Sequence, residues 1–128
     1  MQRAVHHLDL WVSDPGLAAD EWGWLLGELG WEVDIDGVSW VHPDGTYLFL
    51  ECSPDQRDEP HDRLWPGLNH LALHLDTRAR LDRLRAESSA HGWHEMYADH
   101  YPHAGGDEHT ALYVENSEGF EVEVVVVD

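Results

Sequence analysis

The sequence predicts an α+β fold in which two βαβββ units follow each other along the chain. Strand-like segments with alternating apolar and polar residues open both halves. Each is followed by an amphipathic helix pattern and then by a Gly-Trp pair, Gly30-Trp31 or Gly92-Trp93. The spacing also repeats, because the tryptophan lies 24 residues after His7 in the first half and 23 residues after His70 in the second.

The first half opens with the strand-like segment 5–14, in which Leu8, Leu10 and Val12 alternate with polar and aromatic side chains. Asp14 is predicted to cap a helix that starts at Pro15 and runs to about Leu29. Gly30 suits the left-handed position that ends a helix. The remaining predicted elements are strands near 31–35 and 38–42, a turn at 42–45 and a strand at 46–52.

The second half repeats this order. Its first strand is predicted at 69–76, and Asp76 or Thr77 is expected to cap a helix that ends near His91. The later predicted elements are strands near 93–97 and 109–115, a turn at 116–119 and a last strand at 120–127. We therefore predict a single domain made of a first unit at 1–52, a polar linker at 53–67 and a second unit at 68–128.

Composition restricts the ligand classes. The chain has 26 acidic residues against seven arginines and no lysine, which gives a formal net charge of −19. This balance argues against nucleic acid and anionic substrates, and it favours neutral or cationic ligands. The single cysteine, Cys52, cannot form an internal disulfide, and no apolar run approaches the roughly 18 residues of a membrane span. We expect a cytoplasmic protein that binds neither nucleic acid nor membranes.

Four residues are predicted to form a metal site. If each helix covers the leucine or valine face of its sheet, the opposite face, called the open face below, carries a histidine and a glutamate in each unit. Two imidazoles and two carboxylates suit one divalent ion of zinc, nickel, iron, manganese or cobalt. The predicted ligands are His7 and Glu51 in the first unit and His70 and Glu123 in the second.

Three segments of the chain carry a resemblance to a known family. These segments are "HHLDLWVSD…LLGELGW" in the first half, "GLNHLALHLD" at the strand that opens the second half and "ENSEGFEVEVV" near the end. Together they resemble the vicinal oxygen chelate superfamily of glyoxalases, extradiol dioxygenases, fosfomycin-resistance enzymes and bleomycin-resistance proteins. The resemblance implies two curved mixed sheets around a cleft, often shared between the subunits of a homodimer. It also implies metal ligands at the four positions given above, although some drug-binding members work without metal.

One of the four positions departs from the family pattern. Glu123 lies four residues after its turn glycine, as the family pattern expects, whereas Glu51 lies six residues after Gly45. The family pattern therefore does not fix the depth of Glu51 in the cleft. Glu121 shares the parity of Glu123 and is a reserve ligand, and His6 is the reserve for His7 although its parity directs it to the helix side.

The side chains predicted around the cleft leave two chemistries open. Anionic substrates need arginine or lysine clamps, and no arginine has an obvious cleft position. A dioxygenase needs acid–base groups, which His74, Tyr113 and the loop 97–110 could supply, since that loop holds His100, His103, His109 and the mobile pair Gly105-Gly106. Binding of a planar or cationic molecule instead needs aromatic walls and a carboxylate. The candidates for that role are Trp11, Trp40, Tyr47, Phe49 and Asp9.

These patterns favour a small-molecule binding protein of the bleomycin-resistance type, which would sequester an aromatic or cationic natural product and confer antibiotic resistance. The alternative is a metal-dependent enzyme, either a glyoxalase-like lyase or isomerase or an extradiol-type dioxygenase. A non-binding structural or regulatory domain is the third interpretation. In the first two cases we expect a homodimer with clefts at its interface.

Overall fold

The computed structural model describes residues 3–127, and the chain divides into two compact units between Glu59 and Pro60. Each unit contains one helix and one four-stranded mixed sheet. The predicted α+β fold of two βαβββ units is therefore confirmed. The division falls inside the segment 53–67 that the sequence predicts as a linker.

The first unit begins with a strand, a helix and then three further strands. In its sheet the order is β1-β4-β3-β2, with β1 parallel to β4 and the other neighbours antiparallel. The parallel pair requires the helix as a crossover connection. The elements are β1 (His7–Trp11), α1 (Pro15–Glu28), β2 (Glu32–Ile35), β3 (Ser39–Val41) and β4 (Tyr47–Glu51).

Both ends of α1 follow from local sequence chemistry. The Asp14 carboxylate accepts a hydrogen bond of 3.1 Å from the backbone N–H of Leu17, and Pro15 occupies the first helical position. Gly30 has a φ of +91°, which favours a residue without a side chain and ends the helix. The predicted start, end and cap of this helix are confirmed.

The core of the first unit lies between α1 and one face of its sheet. Trp22, Leu25 and Leu26 of the helix are almost fully buried, and so is Leu48 of β4. Trp40 belongs to the same layer, since it pairs in register with Leu48 and is only 4% exposed. A Cβ atom added to Gly23 of α1 would lie 3.1 Å from the Trp40 ring. The prediction that Trp40 contributes to a ligand site is therefore wrong, because its ring packs against the helix.

The second unit repeats the same topology, with sheet order β5-β8-β7-β6 and β5 parallel to β8. Short 3-10 turns follow α2 at Ser88–His91 and precede β7 at Ala98–His100. None of the helices within residues 3–127 is both long and apolar enough to cross a membrane. The elements are β5 (His70–Leu75), α2 (Arg78–Glu87), β6 (His94–Met96), β7 (Thr110–Glu115) and β8 (Glu121–Val126).

Thr77, and not Asp76, is the cap of α2. Its hydroxyl accepts a hydrogen bond of 3.2 Å from the backbone N–H of Arg80, while the Asp76 carboxylate pairs with the Arg80 guanidinium at 2.9 Å. The helix ends at Glu87, earlier than predicted, and the 3-10 turn carries the chain on to Gly92, whose φ is +84°. The most deeply buried large side chains of this unit include Leu81, Leu84, Trp93, Leu112, Val114, Val122 and Val124.

Candidate functional sites

The open face of the first sheet carries the polar and aromatic side chains that alternation predicts. Along β1 the exposed residues alternate with more buried leucines, and along β4 the half-buried residues alternate with buried leucines. The register pairs the open-face residues as His7 with Tyr47, Asp9 with Phe49 and Trp11 with Glu51.

A cavity of about 420 Å³ opens on this face. Its apolar walls are aromatic or aliphatic, and its polar lining includes two carboxyl groups and no arginine. A volume of this size suits a small organic molecule. The lining residues are Ile35, Tyr47 and Phe49 on the apolar side and His7, Asp9, Asp34 and Ser39 on the polar side.

Internal contacts hold several of these side chains in place. The rings of His7 and Tyr47 are stacked, with centroids 4.8 Å apart and planes 5° from parallel. The buried Ser39 hydroxyl donates to Asp34 Oδ2 at 3.3 Å and accepts from the backbone N–H of Ile35 at 3.2 Å. These contacts preorganise one aromatic wall and one carboxylate of the cavity, which lowers the entropy cost of binding.

His6 lies before β1 and contacts the same aromatic pair. Its Nδ1 atom is 2.9 Å from Nδ1 of His7, and its ring lies edge-on to Tyr47 with centroids 5.5 Å apart. The strand parity that would direct His6 to the helix side therefore does not apply, because regular pairing starts only at His7.

The register does not place Glu51 beside His7. Glu51 pairs with Trp11, four residues along the strand from His7, which corresponds to about 13 Å. In the second unit, Glu123 pairs with the residue two positions after His70. The equivalent position in the first unit is held by Phe49, which pairs with Asp9. Glu51 therefore lies two residues farther along β4 than the position that corresponds to Glu123.

His70 and Glu123 are in contact on the open face of the second sheet. His70 Nε2 lies 3.2 Å from Glu123 Oε1, and Glu123 is only 6% exposed. Nδ1 of His70 lies 2.7 Å from Asn69 Oδ1, and Nδ2 of Asn69 donates to the carbonyl oxygen of Arg63 at 3.1 Å. That donation directs the amide oxygen of Asn69 towards the imidazole. Nε2 is therefore held facing Glu123, the arrangement found in histidines that bind metals or pair with carboxylates.

Two further predicted residues join this pair, and two do not. His109 Nε2 contacts Glu123 Oε2, and Tyr113 lies opposite Glu123 in register. Burial, and then the charge of Glu123 and a hydrogen bond with it, raises the pKa of Tyr113 to about 12. His103 instead contacts the carbonyl oxygen of His109 through Nδ1 at 3.2 Å. His74 lies opposite Val125, four residues along β5 from His70, so the strand separates it from this group.

We call His70, His109, Tyr113 and Glu123 the β8 cluster. Across the residues described here, no three histidine, cysteine, aspartate or glutamate side chains stand in positions ready to hold a metal ion. The nitrogen and oxygen donors of the cluster nevertheless match the chemistry of zinc and iron(II). Metal binding by His7, Glu51, His70 and Glu123 stays a prediction.

Sequence reasoning missed Arg63 and Asn69. Nη1 of Arg63 lies 3.4 Å from Oε1 of the buried Glu121, an ion pair that lacks hydrogen-bond geometry. Since Glu121 pairs in register with His70, an arginine does reach the open face of the second sheet, contrary to prediction. Asn69 could have been recognised from the sequence, because it directly precedes the strand histidine His70. Nothing in the sequence marks Arg63, which lies in the predicted linker.

The loop between β6 and β7 is anchored, although the sequence suggests mobility. The hydroxyl of Tyr101 donates to Asp82 of α2 at 2.7 Å, and the guanidinium of Arg85 lies 4.1 Å from the centre of the Tyr101 ring. Burial and the hydrogen bond with Asp82 raise the pKa of Tyr101 to about 12. Arg85 also forms a two-oxygen pair with Glu95 at 2.8 and 2.9 Å. This anchoring fixes the loop that brings His109 to Glu123.

His61 makes the stability of the second unit depend on pH. Its ring is stacked on Phe120 with centroids 4.0 Å apart, and burial lowers its pKa below 6.5 against the opposing charges of Glu118 and Asp62. As the pH falls, the unfolded chain therefore binds a proton at His61 before the folded chain does. The stability that the neutral, buried His61 contributes is lost as the pH falls below about 6.5. We expect His61→Phe to lose less stability than wild type between about pH 7.5 and 5.5 in urea unfolding. Equal losses in the two proteins would contradict this assignment.

Known proteins resemble this chain in sequence, and solved structures resemble it in fold. Residues 6–113 match the model of the glyoxalase/bleomycin resistance protein/dioxygenase superfamily. The uncharacterized protein YqjT of Bacillus subtilis strain 168 is 36% identical over 125 residues, which cover 94% of this chain and 97% of YqjT. The crystal structure of a candidate glyoxalase from Bacillus halodurans is 34% identical, with a TM-score of 0.85 over 98% of this chain and 97% of that one. A glyoxalase/bleomycin resistance protein from Albidiferax ferrireducens T118 has the same fold at 15% identity, with a TM-score of 0.75 over 98% and 100% of the two chains.

Proposed function

Because the chain belongs to the glyoxalase/bleomycin resistance protein/dioxygenase superfamily, we propose that it is a small-molecule binding protein of the bleomycin-resistance type. Its ligand is an aromatic or cationic natural product, and sequestering that ligand confers resistance. The observation that carries this proposal is the cavity of about 420 Å³ on the first sheet, which combines aromatic walls with the carboxyl groups of Asp9 and Asp34.

Charge and shape favour the same ligand class. A cation in the cavity interacts with Asp9 and Asp34 at short range and with the field of a chain of net charge −19 at long range. The rings of Tyr47 and Phe49 provide surfaces on which a planar group stacks, and a cation on a ring face gains further attraction. Phe49 stands in the position that corresponds to Glu123, so an apolar side chain lies in the first unit where the second has the carboxylate that is predicted to bind a metal.

The proposal is tested with ethidium, a planar cation, and 9-anthracenecarboxylate, a planar anion, by fluorescence titration. We expect ethidium to bind more tightly, and we expect Phe49→Ala and Asp9→Asn each to weaken it about tenfold. Asp20→Asn is the matched control, since it removes the same charge from an exposed position on α1. Equal binding of the two dyes, or equal effects of Asp9→Asn and Asp20→Asn, would count against the proposal.

A second candidate function is supported by the contact between His70 and Glu123. In this case the protein is a metal-dependent enzyme of the same superfamily, a lyase, isomerase or dioxygenase. His70, oriented by Asn69, and Glu123 would hold a divalent ion, and that ion would polarise a substrate oxygen. His109 and Tyr113, which contact the same carboxylate, would serve as proton donors or acceptors.

Metal analysis separates the two candidates. If the enzyme proposal is right, protein purified without chelator contains about one equivalent of a divalent metal, which His70→Ala and Glu123→Gln lose. His74→Ala is the control, because His74 lies on the same strand but away from Glu123. Protein that takes up no zinc, iron, nickel, manganese or cobalt in dialysis supports sequestration. The proposed homodimer is checked in the same samples by light scattering.

A further inference from the structure

One aromatic residue of the second unit has a backbone conformation that side chains rarely adopt. Tyr97 has φ of 57° and ψ of 37°, the left-handed region, and it is the one non-glycine residue among 3–127 with a positive φ. Left-handed geometry brings the Cβ atom of an L-residue too close to the backbone, so glycine or asparagine is preferred there. At the four other positions of the same unit with a positive φ the chain does use glycine, namely Gly67, Gly92, Gly106 and Gly119.

The conformation of Tyr97 directs its ring to the β8 cluster. The ring lies edge-on to that of Tyr113, with centroids 5.5 Å apart and planes at 80°. The Tyr113 ring in turn lies edge-on to the imidazole of His70 at 6.3 Å. Tyr97 is 48% exposed, so about half of this residue remains open to solvent beside the Tyr113 ring. An exposed apolar ring contributes little to the core, and the fold alone does not explain it.

The segments on either side hold Tyr97 in this conformation. The preceding residue, Met96, pairs with Tyr113 in the sheet. Four residues after Tyr97, the hydroxyl of Tyr101 is bound to Asp82 of α2. These two contacts restrict the shift of the loop by which the strain would relax. Strained residues that the surrounding structure maintains are concentrated at ligand-binding sites.

We propose that Tyr97 is a ligand-contacting residue and that its exposed ring, backed by Tyr113, takes a planar aromatic or cationic group. The carboxylate of Glu123, which pairs with Tyr113 in register, favours a positive charge on this group. This surface lies in the second unit and is additional to the cavity of the first. It shares with the proposed function only the class of ligand.

Three variants of Tyr97 test the assignment, with ethidium as the probe. Tyr97→Phe keeps the ring and the strain, and we expect unchanged affinity and melting temperature. Tyr97→Ala removes the ring and keeps the strain, whereas Tyr97→Asn removes the ring and relieves the strain. Both are expected to bind ethidium about tenfold more weakly. Tyr97→Asn should also melt about 3 °C above Tyr97→Ala.

The outcomes distinguish this inference from the proposed function. Weaker binding in Tyr97→Ala and Tyr97→Asn, together with a higher melting temperature of Tyr97→Asn than of Tyr97→Ala, supports the inference, whether or not Phe49→Ala has an effect. If Phe49→Ala weakens ethidium while Tyr97→Ala and Tyr97→Asn bind as wild type does, the proposed function stands and the inference is wrong. If wild type binds no ethidium, both are wrong. A melting temperature of Tyr97→Asn no higher than that of Tyr97→Ala removes the argument from strain and overturns the inference.

Discussion

Replacing Trp22 by alanine is expected to lower the free energy of unfolding by about 4 kcal/mol. The side chain is only 1% exposed and lies in the apolar stripe of α1, with Leu25 and Leu26 as buried neighbours on the helix. Alanine would leave a cavity that a layer of close-packed side chains cannot fill without strain. Urea unfolding followed by circular dichroism measures the change.

Trp11→Ala is the matched control for that substitution. Trp11 is 43% exposed and lies on the open face of β1, so its removal should change stability by no more than about 0.5 kcal/mol. The two variants delete the same side chain from opposite sides of the first sheet. Similar losses of stability would show that the division between a packed face and an open face is wrong, and the cavity of the first unit would lose its basis.

The difference between these two tryptophans is readable from the sequence because it depends on periodicity alone. Trp11 alternates with Leu10 and Val12 in a strand, and Trp22 follows the spacing of a helix stripe. Trp40 shows the limit of the same reasoning. Its strand, Ser39–Val41, has three residues, too few for alternation to define a face, and only pairing with β4 assigns its ring to the core.

Glu51 marks a second limit. The alternation along β4 predicts the correct face for Glu51, since this residue lies on the open face with Tyr47 and Phe49. Its depth depends on how β4 slides along β1, and the two strands are parallel and separated by a helix and two other strands. No turn sets the register of such a pair, in contrast to a hairpin. In the second unit His70 and Glu123 do lie in contact, two register positions apart, as the family resemblance implies.

The conformation of the loop that carries His109 depends on contacts between residues far apart in the chain, and such contacts are the hardest to predict from sequence. Gly105 was expected to provide mobility, but the structure gives it a different role. A Cβ atom at this position would lie 2.6 Å from Cδ2 of His109 and 2.7 Å from the hydroxyl oxygen of Tyr113. Such distances are shorter than a carbon atom tolerates, so glycine is required for the close approach of the loop to the β8 cluster.

Gly105→Ala is therefore expected to push His109 away from Glu123 and to lower the free energy of unfolding by about 2 kcal/mol. The loss has two sources, the clash itself and the exposure of a buried carboxylate that loses one of its partners. Hydrogen exchange of the loop amides and urea unfolding both report the change. Faster exchange confined to the loop between β6 and β7 is expected, because α2 and β8 keep their own contacts.

A double-mutant cycle identifies the clash as the cause. His109→Ala removes the imidazole that the new Cβ would strike, so Gly105→Ala should cost about 1 kcal/mol less in that background. The contact with the Tyr113 hydroxyl remains, and it explains why the cost does not vanish. Strict additivity of the two substitutions would mean that Gly105 and His109 act independently. In that case the loop would not hold the histidine by close packing, and the link from the glycine through His109 to Glu123 would be absent.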